Sequence, residues 1–242
     1  MHESRHAPVA LLFNGVWSQY AVATSAKYRP HLDLLHVHDL GVERLRPYRA
    51  LIIPFQSNHH LIEPQREALL GFLARGLRVA VFGDASAWIG ANWADRPVDN
   101  YWWAERPHDP PVAWTDFSHP LFDGLGARQA GWHHHGVYLD IPNRARVLQR
   151  SRDGEVVTWV TREHGGHLLA ATSDPIVEHG IQQIRHLDHF VDRLIEWLGG
   201  GRPHPEPMVL VPDQFQHQAI APSIASSARS FAATSRPTGD IA

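Results

Sequence analysis

No cysteine occurs in the 242 residues, so disulfides, thiolate nucleophiles and zinc–thiolate sites are all excluded. Lysine is nearly as scarce. Lys27 is the only one, which leaves Schiff-base chemistry and a phosphate-cradling loop without their usual ammonium unless that residue supplies it. An excess of one charge is lacking too: a formal net charge of -3 provides no basic footprint for nucleic acid or an anionic membrane. No stretch approaches the roughly 20 apolar residues of a membrane span, and the N-terminal MHESRHAPVALLF has no small-residue cleavage pattern. These absences lead us to expect a soluble, cytoplasmic protein with no nucleic-acid and no membrane partner.

What is present is a clear periodic signal over the first 200 residues. With 43% hydrophobic content it predicts one well-buried α/β domain, residues 1–200, followed by a tail. The stretch Leu77 to Gly90 sets the pattern. Pro64 opens a helix striped by Leu69, Leu70 and Leu73, Gly76 stops it, and the run Val79 to Phe82 ends abruptly in Gly83-Asp84-Ala85-Ser86. A buried parallel strand reads that way, and its polar C-terminal end is where open α/β sheets place ligands. Val9–Phe13, Leu34–His38 and Tyr48–Phe55 repeat the strand pattern with helices between them, which predicts a mainly parallel, doubly wound sheet. Trp132–Leu139 reads as a further strand. Val147–Arg150 and Glu155–Thr161 flank a turn at Asp153-Gly154, a hairpin signal, and His167–Thr172 is a buried last strand. The spacing of Ile181, Ile184, Leu187, Val191, Leu194, Ile195 and Leu198 predicts one long closing helix, ended by Gly199-Gly200-Gly201.

Two segments depart from this rhythm. Residues 90–116 carry Trp93, Tyr101, Trp102, Trp103 and Trp114 with no helix or strand period, and read as an aromatic insertion: a lid whose rings stack on a ligand, or a segment packed onto its own domain. Residues 201–242 are rich in Pro, Ser and Ala and read as a disordered tail. The alternative is a docking arm for a homo-oligomer or a protein partner, through Met208-Val209-Leu210-Val211.

The succession Tyr48-Arg49-Ala50-Leu51-Ile52-Ile53-Pro54, Leu70 to Val79, and His119-Pro120-Leu121-Phe122-Asp123-Gly124-Leu125 resembles the ThuA-like (trehalose-utilisation) branch of the class I glutamine amidotransferase-like superfamily. The pair of strands around Gly165-Gly166 and the last helix, with Trp197, are similar too. The resemblance covers about residues 9–199 and implies a flavodoxin-like three-layer sandwich and a link to sugar metabolism. It also locates two departures. The position of an amidotransferase's nucleophilic Cys holds Ala85, and that of its His-Pro-Glu motif holds Asp174-Pro175-Ile176. In the stretch Trp132-His133-His134-His135-Gly136-Val137-Tyr138, the tyrosine of ThuA-like proteins is retained as Tyr138 and their acidic pair is not.

Candidate chemistry gathers at strand ends. Asp84 follows the central strand and suits a base or an orienting carboxylate, with loop capping as the plainer alternative. In a strand His133 and His135 share a face, offering two imidazoles as acid and base or as ligands of a divalent metal; no cofactor is required by the sequence, and a metal remains open. Asp174 ends the last strand. Trp17, His59, His60, Ser86, Trp88, Trp102, Trp103 and Tyr138 are the candidate substrate-binding residues. The expected ligand is a small, sugar-like molecule handled by acid–base chemistry without glutaminase activity; the alternative is a catalytically silent binding or partner subunit. His186 and His189, three apart on the last helix, are expected on its solvated flank.

Overall fold

The structure, a computed structural model, describes residues 7–182 and 184–209. The elements run β1 (Val9–Phe13), α1 (Trp17–Thr24), β2 (Leu32–His36), α2 (Val42–Leu45), β3 (Ala50–Ile53), α3 (His59–Ile62), α4 (Arg66–Ala74) and β4 (Arg78–Phe82). Then follow α5 (Ser86–Ile89), β5 (Asn92–Asp95), α6 (Trp102–Glu105), β6 (Val112–Thr115), α7 (Ala127–Ala130), β7 (Gly136–Asp140), β8 (Arg146–Ser151), β9 (Val156–Thr161), β10 (His167–Ala171), α8 (Pro175–Gln182) and α9 (Arg185–Trp197). Among the described residues no helix is long and apolar enough to cross a membrane.

One mixed sheet carries the architecture, in the order β2-β1-β3-β4-β10-β9-β7-β5, with β8 joining β9 and β6 joining β8. From β2 to β10 every pairing is parallel; from β9 outward every pairing is antiparallel. The expectation of a mainly parallel sheet therefore holds for one half only. The reason is connection length. Parallel neighbours need a long crossover, whereas β9 and β10 are joined by the short turn through Gly165-Gly166 and β8 and β9 by the turn at Asp153-Gly154, and short turns return the chain antiparallel.

Strand alternation decides the core. Ala10 and Leu12, Leu51 and Ile53, Val79 and Val81, Leu168 and Ala170 share one face and form a single buried cluster with Leu69, Phe72 and Leu73 of α4. On the other face α8 and α9 pack, with α1 against α8. Gly200 lies where a Cβ would meet Ile195 and Val9.

Several sequence expectations are corrected. The second strand is Leu32–His36, and Val37–Asp39 is a 3-10 turn capped by the side chain of His36. Pro64 lies in a 3-10 turn, Glu63–Gln65, ahead of α4. The long closing helix is two helices, because Ile184 is extended (φ -72°, ψ 102°) and caps α9; Ile181 is left exposed at the end of α8. The insertion 90–116 is not structureless: it supplies β5, α6 and β6, and Arg96 ties it to the hairpin by donating to Glu155 (3.0 Å from Nε to Oε2). Its strands escaped detection because both lie at the sheet's outer edge, where apolar alternation is weak. Residues 210–242, most of the expected tail, lie outside the described residues. The part from Arg202 to Val209 does not stand apart: Met208 is buried, and its N–H donates to the Asp188 carboxylate on α9 at 3.0 Å.

Gly180 sets how closely α8 approaches α1. A Cβ there would fall 2.3 Å from the Ser18 carbonyl oxygen. Gly180→Ala is expected to cost about 1–3 kcal/mol, as overpacking does, read as a lowered denaturant midpoint at unchanged slope. A second expectation concerns His119, whose Nδ1 accepts from the Leu121 N–H at 3.3 Å and so caps the turn Pro120–Phe122. Burial, helped by the Arg146 charge, holds this imidazole down to about 4 from 6.5. The stability it contributes is complete above pH 6.5 and is lost as pH falls towards 4, roughly 3 kcal/mol in all. His119→Asn should flatten that part of a stability–pH curve measured by denaturant unfolding.

Candidate functional site

The C-terminal ends of β3, β4 and β10 meet at one sheet edge, and the backbone there is shaped to bring side chains together. Gly83 follows β4 with φ +91°, and a Cβ on it would come within 2.7 Å of the Phe55 ring. Only glycine satisfies both the conformation and the approach. Phe55 in turn stacks on His135, with ring centroids 4.3 Å apart and planes 24° from parallel. Next to Phe55, Gln56 is the one described non-glycine residue with positive φ (+64°), and its carbonyl accepts from Asn14 Nδ2 at 3.0 Å. Gln19, buried on α1, holds the same turn through the Phe55 carbonyl at 3.3 Å. Strain stored at the end of a strand and stitched to two neighbours marks a shaped site.

The centre is Asp174, buried at the start of α8. Trp132 Nε1–H donates to its Oδ1 at 3.1 Å, while His133 Nε2 lies 2.7 Å from Oδ1 and His135 Nε2 lies 3.0 Å from Oδ2. Both nitrogens lie at hydrogen-bond distance from the carboxylate, although neither contact is a well-aligned hydrogen bond. Burial pushes the Asp174 pKa up, but the two imidazoles outweigh it and hold the group down at about 2. One turn along α8 the opposite happens: burial and the Asp174 charge push the half-buried Glu178 carboxyl above its usual range, against the opposing effect of His133 and His135. His59 is held below the usual histidine value by burial, against the attraction of Asp84.

Of the residues expected here, His133, His135 and Asp174 are brought together. They are not on a strand, which begins only at Gly136; instead His135 N–H bonds to the Thr172 carbonyl at 3.0 Å and His134 bridges to Ser173, so the extended chain still puts His133 and His135 on one side. Asp84 has its plainer role, with Oδ1 accepting from Ser86 N–H (3.0 Å) and Ser86 Oγ (2.8 Å) at the start of α5, although its charge reaches His59 and Tyr138. Tyr138 is buried and donates to the Gly83 carbonyl at 3.2 Å, bracing the turn. His60 is exposed, and Trp17 is exposed and stacks on Tyr20. Trp88 and Trp102 are closed into packing: Trp88 in the core beneath α4, Trp102 against Trp132 and His186 with centroids 6.0 Å from each. Neither indole has an open face to stack on a ligand. Trp103 is half-buried beside that cluster, its Nε1 donating to the Asn100 carbonyl at 3.1 Å. His186 is not on a solvated flank but half-buried against Trp132 at 5.2 Å, unlike the exposed His189. Trp132 and Phe55 were not singled out from the sequence, where nothing but their neighbours distinguishes them from core aromatics.

One ligand atom from each of His133, His135 and Asp174 lies within 4.8 Å of the others. Two imidazoles and a carboxylate suit zinc or another first-row divalent ion and are wrong for calcium or magnesium, which favour all-oxygen shells.

No protein-family model matches the chain, and no curated protein matches it. Solved structures do. A protein of Bacteroides uniformis described as ThuA-like superposes with TM-score 0.52 at 12% identity, covering 82% of this chain and 94% of that one. A cytoplasmic protein of Salmonella typhimurium superposes with TM-score 0.52 at 11% identity (78% and 98%), and a Thermoplasma acidophilum protein described as a GMP synthase subunit with 0.51 at 11% (80% and 95%). The chain has a ThuA-like fold. At such identities the likeness concerns the fold alone, and the chemistry has to come from this chain's own residues. Within the ThuA-like fold the packed role of Trp102 predicts that Trp102→Ala lowers stability by about 3–5 kcal/mol, the usual cost of a large core cavity, in a urea titration.

Proposed function

We propose that this ThuA-like protein binds a small, uncharged, hydroxylated molecule of sugar type at the edge formed by β3, β4 and β10, and acts on it by proton transfer. The observation that carries the reading is the divergence of two carboxyls one helical turn apart. Asp174 is held ionised beside His133 and His135, while Glu178 is pushed towards the protonated form. Titratable neighbours driven in opposite directions are how a site keeps an acid and a base available at one pH. Glu178 serves as the acid, His135, the more open imidazole, as the base, and the Asp174 carboxylate stabilises the positive charge that the base acquires. None of the residues gathered at this edge is Arg or Lys, which suits a neutral polyol better than a phosphorylated substrate. The sugar class itself rests on the ThuA-like resemblance. Glutaminase chemistry is not expected, since Ala85 follows Gly83-Asp84 where the superfamily's cysteine would stand.

A second reading has its own support. The Nε2 atoms of His133 and His135 are buried without a well-aligned hydrogen bond and group with an Asp174 oxygen within 4.8 Å, which leaves them available as metal ligands. Here His133, His135 and Asp174 hold a divalent ion, which would supply Lewis acidity when bound.

Four measurements test these readings. A thermal-shift screen of the untagged protein against sugars should find concentration-dependent stabilisation that Glu178→Gln leaves in place and His135→Asn weakens. With the ligand so identified, turnover should fall at least about 100-fold in Glu178→Gln, the lower end of what a positioned acid contributes; binding without turnover in the parent protein would make it a binding subunit instead. Elemental analysis should show near-stoichiometric metal, lost in the His133→Ala/His135→Ala protein, if the second reading holds; a metal-free protein with full activity overturns it. Glutamine should release no ammonia above background in any case.

A further inference from the structure

A cleft of about 860 Å³ opens at the opposite end of the sheet, where β4 and β10 begin and β9 ends. It is separate from the site above. Arg78 starts β4 and Gly83 follows its end, so the two lie the length of a five-residue strand apart, roughly 17 Å. Trp197 of α9 forms its floor. The Arg78 guanidinium lies 5.5 Å from the indole centroid, and the His119 and His167 rings lie 5.8 and 6.0 Å from it. Cationic and aromatic groups are thus already assembled around one surface.

The charges around this floor do not cancel. Arg146 is taken up by Asp116, with 2.8 Å from Nε to Oδ2, and Arg193 by Glu196 at 2.7 Å and Asp123 at 3.6 Å. Arg78, Arg144 and Arg162, which also line the cleft, have no acidic partner among the described residues, and only Glu163 remains as an unpaired acid of the lining. A positive field is felt locally: after burial, Arg146 and Arg78 disfavour the charged form of His119, and Arg162 and Arg78 that of His167. In a chain of net charge -3 this concentration of unpaired arginine is a local feature.

We infer that the cleft is a binding site for a phosphorylated small molecule, with Arg78, Arg144 and Arg162 engaging the phosphate and Trp197 beneath the remainder. Guanidinium forks match phosphate oxygens two at a time, and the volume is that of a small-metabolite pocket. The three arginines come from the start of β4, the loop before β8 and the end of β9, so the site exists only in the folded sheet. Segments quoted for the ThuA-like resemblance, His119-Pro120 and the Trp197 helix, also line it.

Isothermal titration of the full-length protein with inorganic phosphate, pyrophosphate and glucose 6-phosphate, against glucose and sodium chloride at matched ionic strength, tests this. Binding of the phosphate compounds is expected, weakening at least tenfold in Arg144→Gln/Arg162→Gln, whereas chloride should give no response and any response to glucose should be the same in parent and variant. Both side chains are exposed, so the fold should survive the change, which circular dichroism checks. Glu178→Gln should bind the phosphate compounds as the parent does, whatever becomes of the reading proposed for the other edge. Absence of phosphate binding, equal binding in the double variant, or an equal response to chloride overturns the inference.

Discussion

β10 is the seam on which the molecule depends. Its parallel bonding to β4 continues the doubly wound half, and its antiparallel bonding to β9 begins the other half. A strand hydrogen-bonded on both edges cannot shift register without breaking its pairing to two neighbours, and Leu168, Leu169 and Ala170 are fully buried. Fixing β10 fixes what leaves its two ends. At one end Asp174 is delivered beside the turn after β4; at the other His167 is delivered beside Arg78.

The two ends are electrostatically unlike. At the C-terminal end a buried carboxylate is surrounded by two imidazoles and an indole N–H, and a second carboxyl is pushed towards neutrality by burial and by the charge of the first. At the other end arginines outnumber acids and both nearby imidazoles are held towards their neutral forms. A neutral hydroxylated ligand suits the first environment and an anion the second. The same sheet presents both, because parallel strands bring all their starts to one edge and all their ends to the other.

Aromatic residues show how context assigns roles. Trp102 and Trp103 lie next to each other, yet the first is sealed against Trp132 and His186 while the second keeps part of its surface. Through Trp132 this cluster supports Asp174 from behind, since the indole that packs on Trp102 is the one that donates to the carboxylate. The insertion therefore reaches the candidate site by bracing it.

Local pattern alone determined the strands of the parallel half, the turn at Asp153-Gly154, the polar ends at Gly83-Asp84 and Ser173-Asp174, and the shared side of His133 and His135, because each depends on neighbours within a few residues. Only the tertiary structure decided the antiparallel half, for an edge strand's register is set by its partner and β5 and β6 carry little alternation of their own. The break at Ile184 was hidden for a similar reason: a helical spacing of apolar residues persists across two helices packed on one surface. Which carboxyls are buried among polar partners was likewise out of reach. Asp84 and Asp174 look alike in sequence, and what separates them is burial and the company of Trp132, His133 and His135, contacts made across the sheet between residues about forty positions apart.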